Sequence, residues 1–451
     1  MEKLRNIRLG LQKLPRNILW YYTFGWYFPN DEKSKDRRNL FFVNQTSNIV
    51  GNLIGGTFLT GLLLYMNATD GFIGMMTLIM FAANMFQIAS PLLLERIPQR
   101  KKLLLICHAA LTLINVVIIG LIPLFPASGQ LRLALVAAMI LLANLLGAVF
   151  GPGFTVWFIS FIPDDMRARF FSTVNIFNGI VVTGAVIGAG FLVDHFKAGG
   201  NELLGLQVIR GIAFIFAIID FILIMGIKEY PYEKTDGVKL KQLLVDPFRE
   251  RIYLRTVAIA FIWSLSANIT GPYYTIYLLD NLNISYSFLM LMNIISVPLL
   301  IFFTPLWERY LRRSSWFMML TVSMGVFLLH YLILPFVTVK NVYFLFPSAI
   351  LLSSVFAVGI NLAFANIPYI NIPKINKTLF IGFYTAVSHL GALIGISIGN
   401  GFIFITEGID IVIFNTNMGN KQLLMIFAAV IMLISVVLVN ALRKGTEPVS
   451  A

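Results

Sequence analysis

Charge is scarce in this chain of 451 residues: Asp, Glu, Lys and Arg together make up 12%, against roughly 25% in a soluble domain. Cysteine occurs once, at Cys107, which excludes an intramolecular disulfide and any thiolate cluster for a metal. The four histidines supply no H-E-x-x-H run, no other metal-ligand spacing and no Ser-His-Asp set at a membrane surface. No G-x-x-x-x-G-K-[ST] loop is present to cradle nucleotide phosphates, so ATP bound to this chain is not expected to supply energy. These absences set aside an enzyme, a metal site and a cofactor. Low-complexity tracts are missing too. The N-terminal run has neither a clean apolar stretch nor a small-residue cleavage site, so it does not read as a signal peptide.

What the chain has is apolar length. Hydrophobic residues make up 58% of it and the mean hydropathy is +0.82, more apolar surface than a soluble core hides. Crossing a hydrocarbon layer takes about 20 helical residues, and the apolar runs predict spans at 40–66, 71–94, 103–124, 131–162, 170–193, 205–227, 253–279, 285–306, 315–338, 341–366, 378–405 and 420–442. The fold class expected is an all-α integral membrane protein of about twelve transmembrane helices. The loops leaving even-numbered spans hold Arg96 to Lys102, Arg167 to Arg169, Lys228 to Arg251, Arg309 to Arg313, Lys374 to Lys377 and the tail pair Arg443 and Lys444. The alternate loops hold little beyond Lys197, Lys340 and Lys421. That asymmetry follows the positive-inside rule and places both termini in the cytoplasm of a multi-pass plasma (inner) membrane protein. The net charge of +13 is thus a topology signal with contact to anionic lipid, not a nucleic-acid footprint.

The spans group into two halves. Residues 1–38 form a cytoplasmic or interfacial segment, 39–227 a six-helix bundle, 228–252 a cytoplasmic central loop, 253–443 a second six-helix bundle and 444–451 a tail. The run PLLLERIPQRKKLLL from Pro91 is answered by PLWERYLRRSSWFM from Pro305, and IPDDMRARFF from Ile162 by IPKINKTLF from Ile372. Both pairs lie about 210 residues apart, the mark of one half repeated in parallel.

On these residues the chain resembles the major facilitator superfamily from about Asn39 to Arg443. That family's signature, in outline Gly-x-x-x-Asp-Arg-x-Gly-Arg-Lys, is matched by Pro91, Glu95, Arg96, Pro98, Gln99 and Arg100. Proline replaces both glycines, Glu95 the aspartate and Gln99 the next basic residue. The resemblance implies two pseudo-symmetric bundles around a cavity that opens alternately to either side. It further implies that helices one, four, seven and ten line the cavity, with two, five, eight and eleven flanking it.

Substrate contacts are sought among intramembrane polar residues, because lipid-facing walls do not carry them. Asn44, Asn48 and Asn52 recur at every fourth position and stack on one helix face over about 12 Å, with Gln45 alongside. They read as an amide ladder for a neutral, hydroxyl-rich solute, or as interhelical bonds worth under about 2 kcal/mol each. The resemblance adds weight to Asn144, Trp263, Asn268 and Asn361; Asn178, Tyr274 and Asn293 complete the candidate set, with Asn84, Gln87 and Asn175 behind them. Gly271-Pro272 is expected to interrupt the seventh span, and Gly151-Pro152-Gly153 the fourth. Gly184, Gly188 and Gly190, and likewise Gly391, Gly395 and Gly399, permit close helix approach.

Charges inside the spans are few. On the sixth span lie Arg210 and Asp220. A buried carboxylate is costly, so Asp220 is a candidate for ion coupling, set against a structural pairing with His108. His389 is a second candidate because an imidazole titrates near neutral pH; His330 is assigned no role. Glu95, Arg96, Arg100, Asp164, Asp165, Arg167, Arg169, Glu308 and Arg309 are gating candidates. By resemblance, the acid of the signature loop pairs across the bundle in a latch that each cycle breaks. The function expected is secondary transport of a small polar organic solute, first a sugar or glycoside, coupled to H+ or Na+, by a monomer without a cofactor. Drug or metabolite efflux is the alternative within transport, and a transport-dead nutrient sensor the alternative outside it.

Overall fold

The computed structural model describes residues 33–90, 94, 97, 99–230, 246–311, 313–371, 377–413 and 416–444. Helical rods follow the apolar runs in order. The first half holds α1 (Ser34–Tyr65), α2 (Asp70–Asn84, continued by a 3-10 turn at Met85–Ala89), α3 (Lys101–Leu124), α4 (Gly129–Ile159), α5 (Asp164–Ala198) and α6 (Glu202–Met225). The second holds α7 (Arg251–Asn281), α8 (Tyr286–Leu311), α9 (Trp316–Phe336), α10 (Val342–Ile370), α11 (Lys377–Ile405) and α12 (Asn420–Arg443). Among the described residues, ten helices have the length and hydropathy of a membrane crossing. The regular part of α2 is shorter, at 15 residues.

Local chemistry sets the helix ends. The side chains of Thr69, Ser128 and Ser315 each accept a backbone N–H three residues on, capping α2, α4 and α9. Three irregularities matter for the site. The first helix breaks at Gly55 and Gly56, where Gly56 takes φ +49°. The seventh breaks at Gly271, φ +40°, before Pro272. In α3 a π-helical stretch runs Leu113–Ile118, a deviation often found at functional positions. The expected interruption at Gly151-Pro152-Gly153 does not occur: α4 runs through Pro152 unbroken. One missing N–H is tolerated in a membrane helix with small neighbours. A short hairpin, β1 (Ile411–Ile413) and β2 (Thr416–Met418), pairs antiparallel between α11 and α12 with Ile411 opposite Met418.

Packing repeats the sequence duplication. In the first half α1 lies against α5 and α6, and in the second α7 lies against α11 and α12. The pairs α2 with α4 and α8 with α10 correspond in the same way. The halves meet along α5 with α8 and along α2 with α11, again equivalent pairs. The tightest seam is α7 on α11. A Cβ added at Gly391, Gly395 or Gly399 runs into the carbonyl oxygens of Phe261, Leu265 and Ile269 respectively, so these glycines let two backbones touch. On α5 the requirement falls on Gly190, which meets the backbone of Ser287; Gly184 and Gly188 have open space around them.

Candidate functional site

The three ladder asparagines of α1 bond along their own helix. Asn44, Asn48 and Asn52 each donate to the carbonyl four residues back, on Leu40, Asn44 and Asn48, at 2.9, 2.7 and 2.9 Å. Those bonds hold the side chains along the helix and leave the amide oxygens unengaged. Asn48 and Asn52 are exposed, and Gly51 and Gly55 continue the same face. Gln45 points elsewhere. It is buried and donates to the Val174 carbonyl of α5 at 3.3 Å, so it ties two helices together.

Gly51 and Gly55 open onto a cavity of about 330 Å³ between α1, α2, α3, α4 and α6, within the size range of small-molecule sites. Asn84, Asn115 and Asn144 line it, and so does Arg210. Asn144 donates to Ile140 at 2.8 Å, leaving its oxygen to the cavity. Arg210 is almost fully buried. Its Nη1 donates to the Asn115 carbonyl at 2.7 Å and its Nη2 to the Ile54 carbonyl at 3.3 Å. Both acceptors are free because a helix is irregular there: Ile54 ends the first part of α1, and Asn115 lies in the π stretch of α3.

About 15 Å along α6 sits a second polar centre, also in the first half. Asp220 is buried. Thr46 Oγ1 and Ser47 Oγ of α1 lie 2.6 and 2.9 Å from its Oδ1. From α3, His108 brings Nε2 to 2.9 Å from Oδ2, off the N–H axis and so an ion contact rather than an aligned hydrogen bond. The imidazole is stacked on Phe221. Three helices therefore converge on one carboxylate, which the pairing of Asp220 with His108 only partly anticipated.

A third group of residues joins the halves at the end away from the basic loops. Asp194, near the end of α5, accepts the backbone N–H of Tyr286 at 2.8 Å and of Ser287 at 2.7 Å, capping the start of α8. The Tyr286 hydroxyl donates to Glu202 of α6 at 2.9 Å, and its ring stacks on Phe58 of α1. Lys421 of α12 pairs with Asp70 of α2 at 2.6 Å and donates to Asn281 at 2.9 Å. The contacts of Asp194, of Glu202 and of Lys421 with Asp70 run from one half to the other. None of these residues was a sequence candidate: the charged ones, Asp194, Glu202, Lys421 and Asp70, stand at or near helix ends, with partners far away in the chain and no periodicity to betray them.

The remaining candidates scatter. In the second half Trp263 stacks on Phe364 and meets Phe327, and Tyr274 packs on Phe346 and His330, so both rings are built into aromatic packing. Asn268 donates to Ser264 at 2.7 Å. Asn361 is exposed on α10, and Asn178 of α5 keeps a buried side-chain oxygen without a partner. His389 faces Phe81 across the seam of α2 and α11, with ring centroids 6.3 Å apart. Of the gating candidates, Arg100 donates to Ile97 and Arg167 to Ile162, both within the first half, and Arg309 is exposed. Near them, Glu229 accepts the backbone N–H groups of Arg100 and Lys101, and Lys101 caps the end of α6 through the carbonyls of Met225 and Ile227. Glu95 and Arg96 lie outside the described residues, as do the side chains of Asp164, Asp165, Arg169, Asn293 and Glu308.

Comparison with known proteins agrees with this architecture. No curated protein sequence is significantly similar to the chain. Among solved structures, the nucleoside transporter NupG superposes with a TM-score of 0.63 at 11% identity, covering 92% of this chain and 99% of that one. A bacterial homologue of the iron transporter ferroportin gives 0.63 at 16% identity in its inward-facing state, covering 92% of this chain and 98% of its own. In its outward-facing state the ferroportin homologue gives 0.56 at 15% identity, covering 91% and 99%. These identities speak for the fold alone. The model of the Major Facilitator Superfamily matches residues 40–396, and with the duplicated six-helix halves and the polar sites between their helices this places the chain in that superfamily of transporters.

Proposed function

We propose that this chain is a secondary transporter of a small, polar, hydroxyl-bearing organic solute and works by alternating access at the plasma membrane, with the basic loops and both termini cytoplasmic. The observation that carries this reading is the set of polar contacts that, among the described residues, joins the halves at one end. The bonds of Asp194, Glu202 and Lys421 close the end away from the basic loops, which this topology assigns to the outside. A rocking motion has to break them and remake others on the cytoplasmic side, where Arg100, Arg167 and Arg309 and their neighbours sit. The better superposition on the inward-facing than on the outward-facing ferroportin homologue supports the same assignment of state. The amide oxygens of Asn48 and Asn52, with Asn144 opposite, suit hydroxyl donors on the solute.

Coupling is assigned to Asp220. A carboxylate enclosed by α1, α3 and α6 offers acceptor lone pairs to the hydroxyls of Thr46 and Ser47, with His108 Nε2 2.9 Å from its other oxygen. Its neighbours elsewhere are uncharged: α5 carries no titratable residue between Arg169 and Asp194, and on α3 the adjacent Cys107 is turned to Leu146 of α4. Coupling at this carboxylate acts by loosening the contacts that tie α1 to α3 and α6. His389, alone against Phe81, is the weaker coupling site. The test is uptake into proteoliposomes of labelled sugars, sugar acids, glycosides and cationic drugs, with and without a pH gradient. Gradient-stimulated uptake of hydroxylated solutes that is lost in Asn48→Ala upholds the reading. Movement of cationic drugs alone refutes it in favour of efflux.

A further inference from the structure

Arg210 belongs neither to the contacts that join the halves nor to the centre around Asp220. A guanidinium inside a membrane bundle ordinarily faces a carboxylate or a water-filled cavity. Among the described residues Arg210 makes no ion pair. The acids on the helices around it are taken or distant: Asp220 is held by His108, Thr46 and Ser47; Glu202 accepts from Tyr286; Asp194 caps α8; and Asp36 accepts from Tyr230. No acid lies on α3.

Its five N–H groups are also not exhausted. One bond goes to Asn115 and one to Ile54, which leaves three N–H donors. Those two bonds hold the guanidinium from two helices, α3 and α1. The side-chain stem is fixed as well, because it lies against Gly120, where an added Cβ would come 3.0 Å from Cδ. The group is therefore pre-oriented, its charge uncompensated, and it forms part of the wall of a cavity large enough for a monosaccharide-sized solute. The rest of that wall offers the amides of Asn84, Asn115 and Asn144.

We propose that this cavity is an anion site, and that its ligand is a hydroxylated carboxylate of sugar-acid type, with the carboxylate on Arg210 and the hydroxyls on the asparagine amides. Arginine matches a carboxylate through parallel N–H bonds in a way that lysine does not. The site accounts together for the unpaired cation, the break in α1 and the π stretch in α3, since both irregularities supply the carbonyls that position the guanidinium. The inference deepens the transporter reading and rests on it only for treating the ligand as cargo.

The experiment is binding to the purified full-length protein in detergent, by calorimetry and thermal shift, with gluconate, glucose and inorganic phosphate as probes. Gluconate binds at least about 10-fold more tightly than glucose, Arg210→Lys weakens it about 10-fold and Arg210→Gln about 100-fold, the loss expected for charge-assisted bonds, while glucose is unaffected. Asn144→Leu, which fills the cavity from α4 without touching the arginine, decides the question if Arg210→Gln does not fold: it also abolishes gluconate binding. Equal binding of gluconate and glucose, binding of phosphate alone, or gluconate binding unchanged in Asn144→Leu overturns the proposal. Counterflow in proteoliposomes separates it from the transporter reading. Gluconate binding without movement of any solute sinks transport and keeps the site. Gluconate transport indifferent to Arg210→Gln sinks the site and keeps transport.

Discussion

Replacing Asp194 by asparagine tests how the halves are held together. In the structure its two carboxylate oxygens each accept a backbone N–H at the start of α8, at 2.8 and 2.7 Å. Hydrogen bonds to a charged acceptor contribute about 1.5–3 kcal/mol each, and an anion at a helix N-terminus adds about 0.3–1 kcal/mol. Asparagine retains one carbonyl oxygen and loses the charge, so about 2 kcal/mol of the bias toward the closed end is lost, and at 1.4 kcal/mol per decade the open form gains about 30-fold. Accessibility of the cavity from the far side reads this directly. The chain has a single, buried cysteine, Cys107, so in a Cys107→Ser background Asn52→Cys places one thiol on the exposed face of α1. A membrane-impermeant maleimide applied from outside should label it about 30-fold faster when Asp194→Asn is added, because the labelling rate follows the open population. Labelling from inside should slow or stay constant. An unchanged outside rate, with the protein folded, would show that the contact does not hold the gate.

Other outcomes follow from the same geometry. The Lys421–Asp70 pair is partly buried, so Asp70→Lys should cost about 1–2 kcal/mol of closed state, and the exchanged double variant Asp70→Lys with Lys421→Asp should restore most of it in the same labelling assay. For Asp220→Asn, accumulation driven by a pH gradient should disappear while counterflow persists; accumulation at the wild-type level would remove Asp220 from coupling. Thr46→Val takes away a donor at 2.6 Å from a buried carboxylate and should lower stability by about 1.5–3 kcal/mol, read by thermal unfolding in detergent. Gly395→Val drives a side chain into the Leu265 carbonyl across the α7 and α11 seam and should prevent accumulation of folded protein, whereas Gly188→Val, with free space, should be tolerated.

Apolar run length located most helix ends to within a few residues, because hydrocarbon thickness leaves a chain little choice; α1 and α5 start earlier than expected, at Ser34 and Asp164, and the regular part of α2 ends at Asn84. The duplicated loops around Pro91 and Pro305 declared the two halves, and the i, i+4 spacing of Asn44, Asn48 and Asn52 placed them on one face. The weak points are instructive. Pro152 stayed inside a helix because membrane helices absorb a lost N–H, whereas Gly271-Pro272 broke one because a left-handed glycine stands before the proline. Gln45 shares the neighbourhood of the asparagines yet turns to α5, a direction fixed by tertiary packing. Trp263 and Tyr274 looked like cavity aromatics and are packed among their own kind. The residues that fasten the halves were not visible, since an ion pair such as Lys421–Asp70 joins opposite ends of the sequence and leaves no local trace.

The two broken helices carry a history. Gly56 in α1 and Gly271 in α7 both sit at left-handed φ, +49° and +40°, about 215 residues apart, close to the repeat offset of the loops. A bend at the matching place in both copies is most simply one bend, present before the gene doubled and inherited by each half. The polar equipment is not shared in this way: α6 carries Arg210 and Asp220, while its counterpart α12 has no charged residue between Lys421 and Arg443. The bent frame is then common to both halves, while the mid-span charges that the proposed ligand and coupling sites use stand in one of them only.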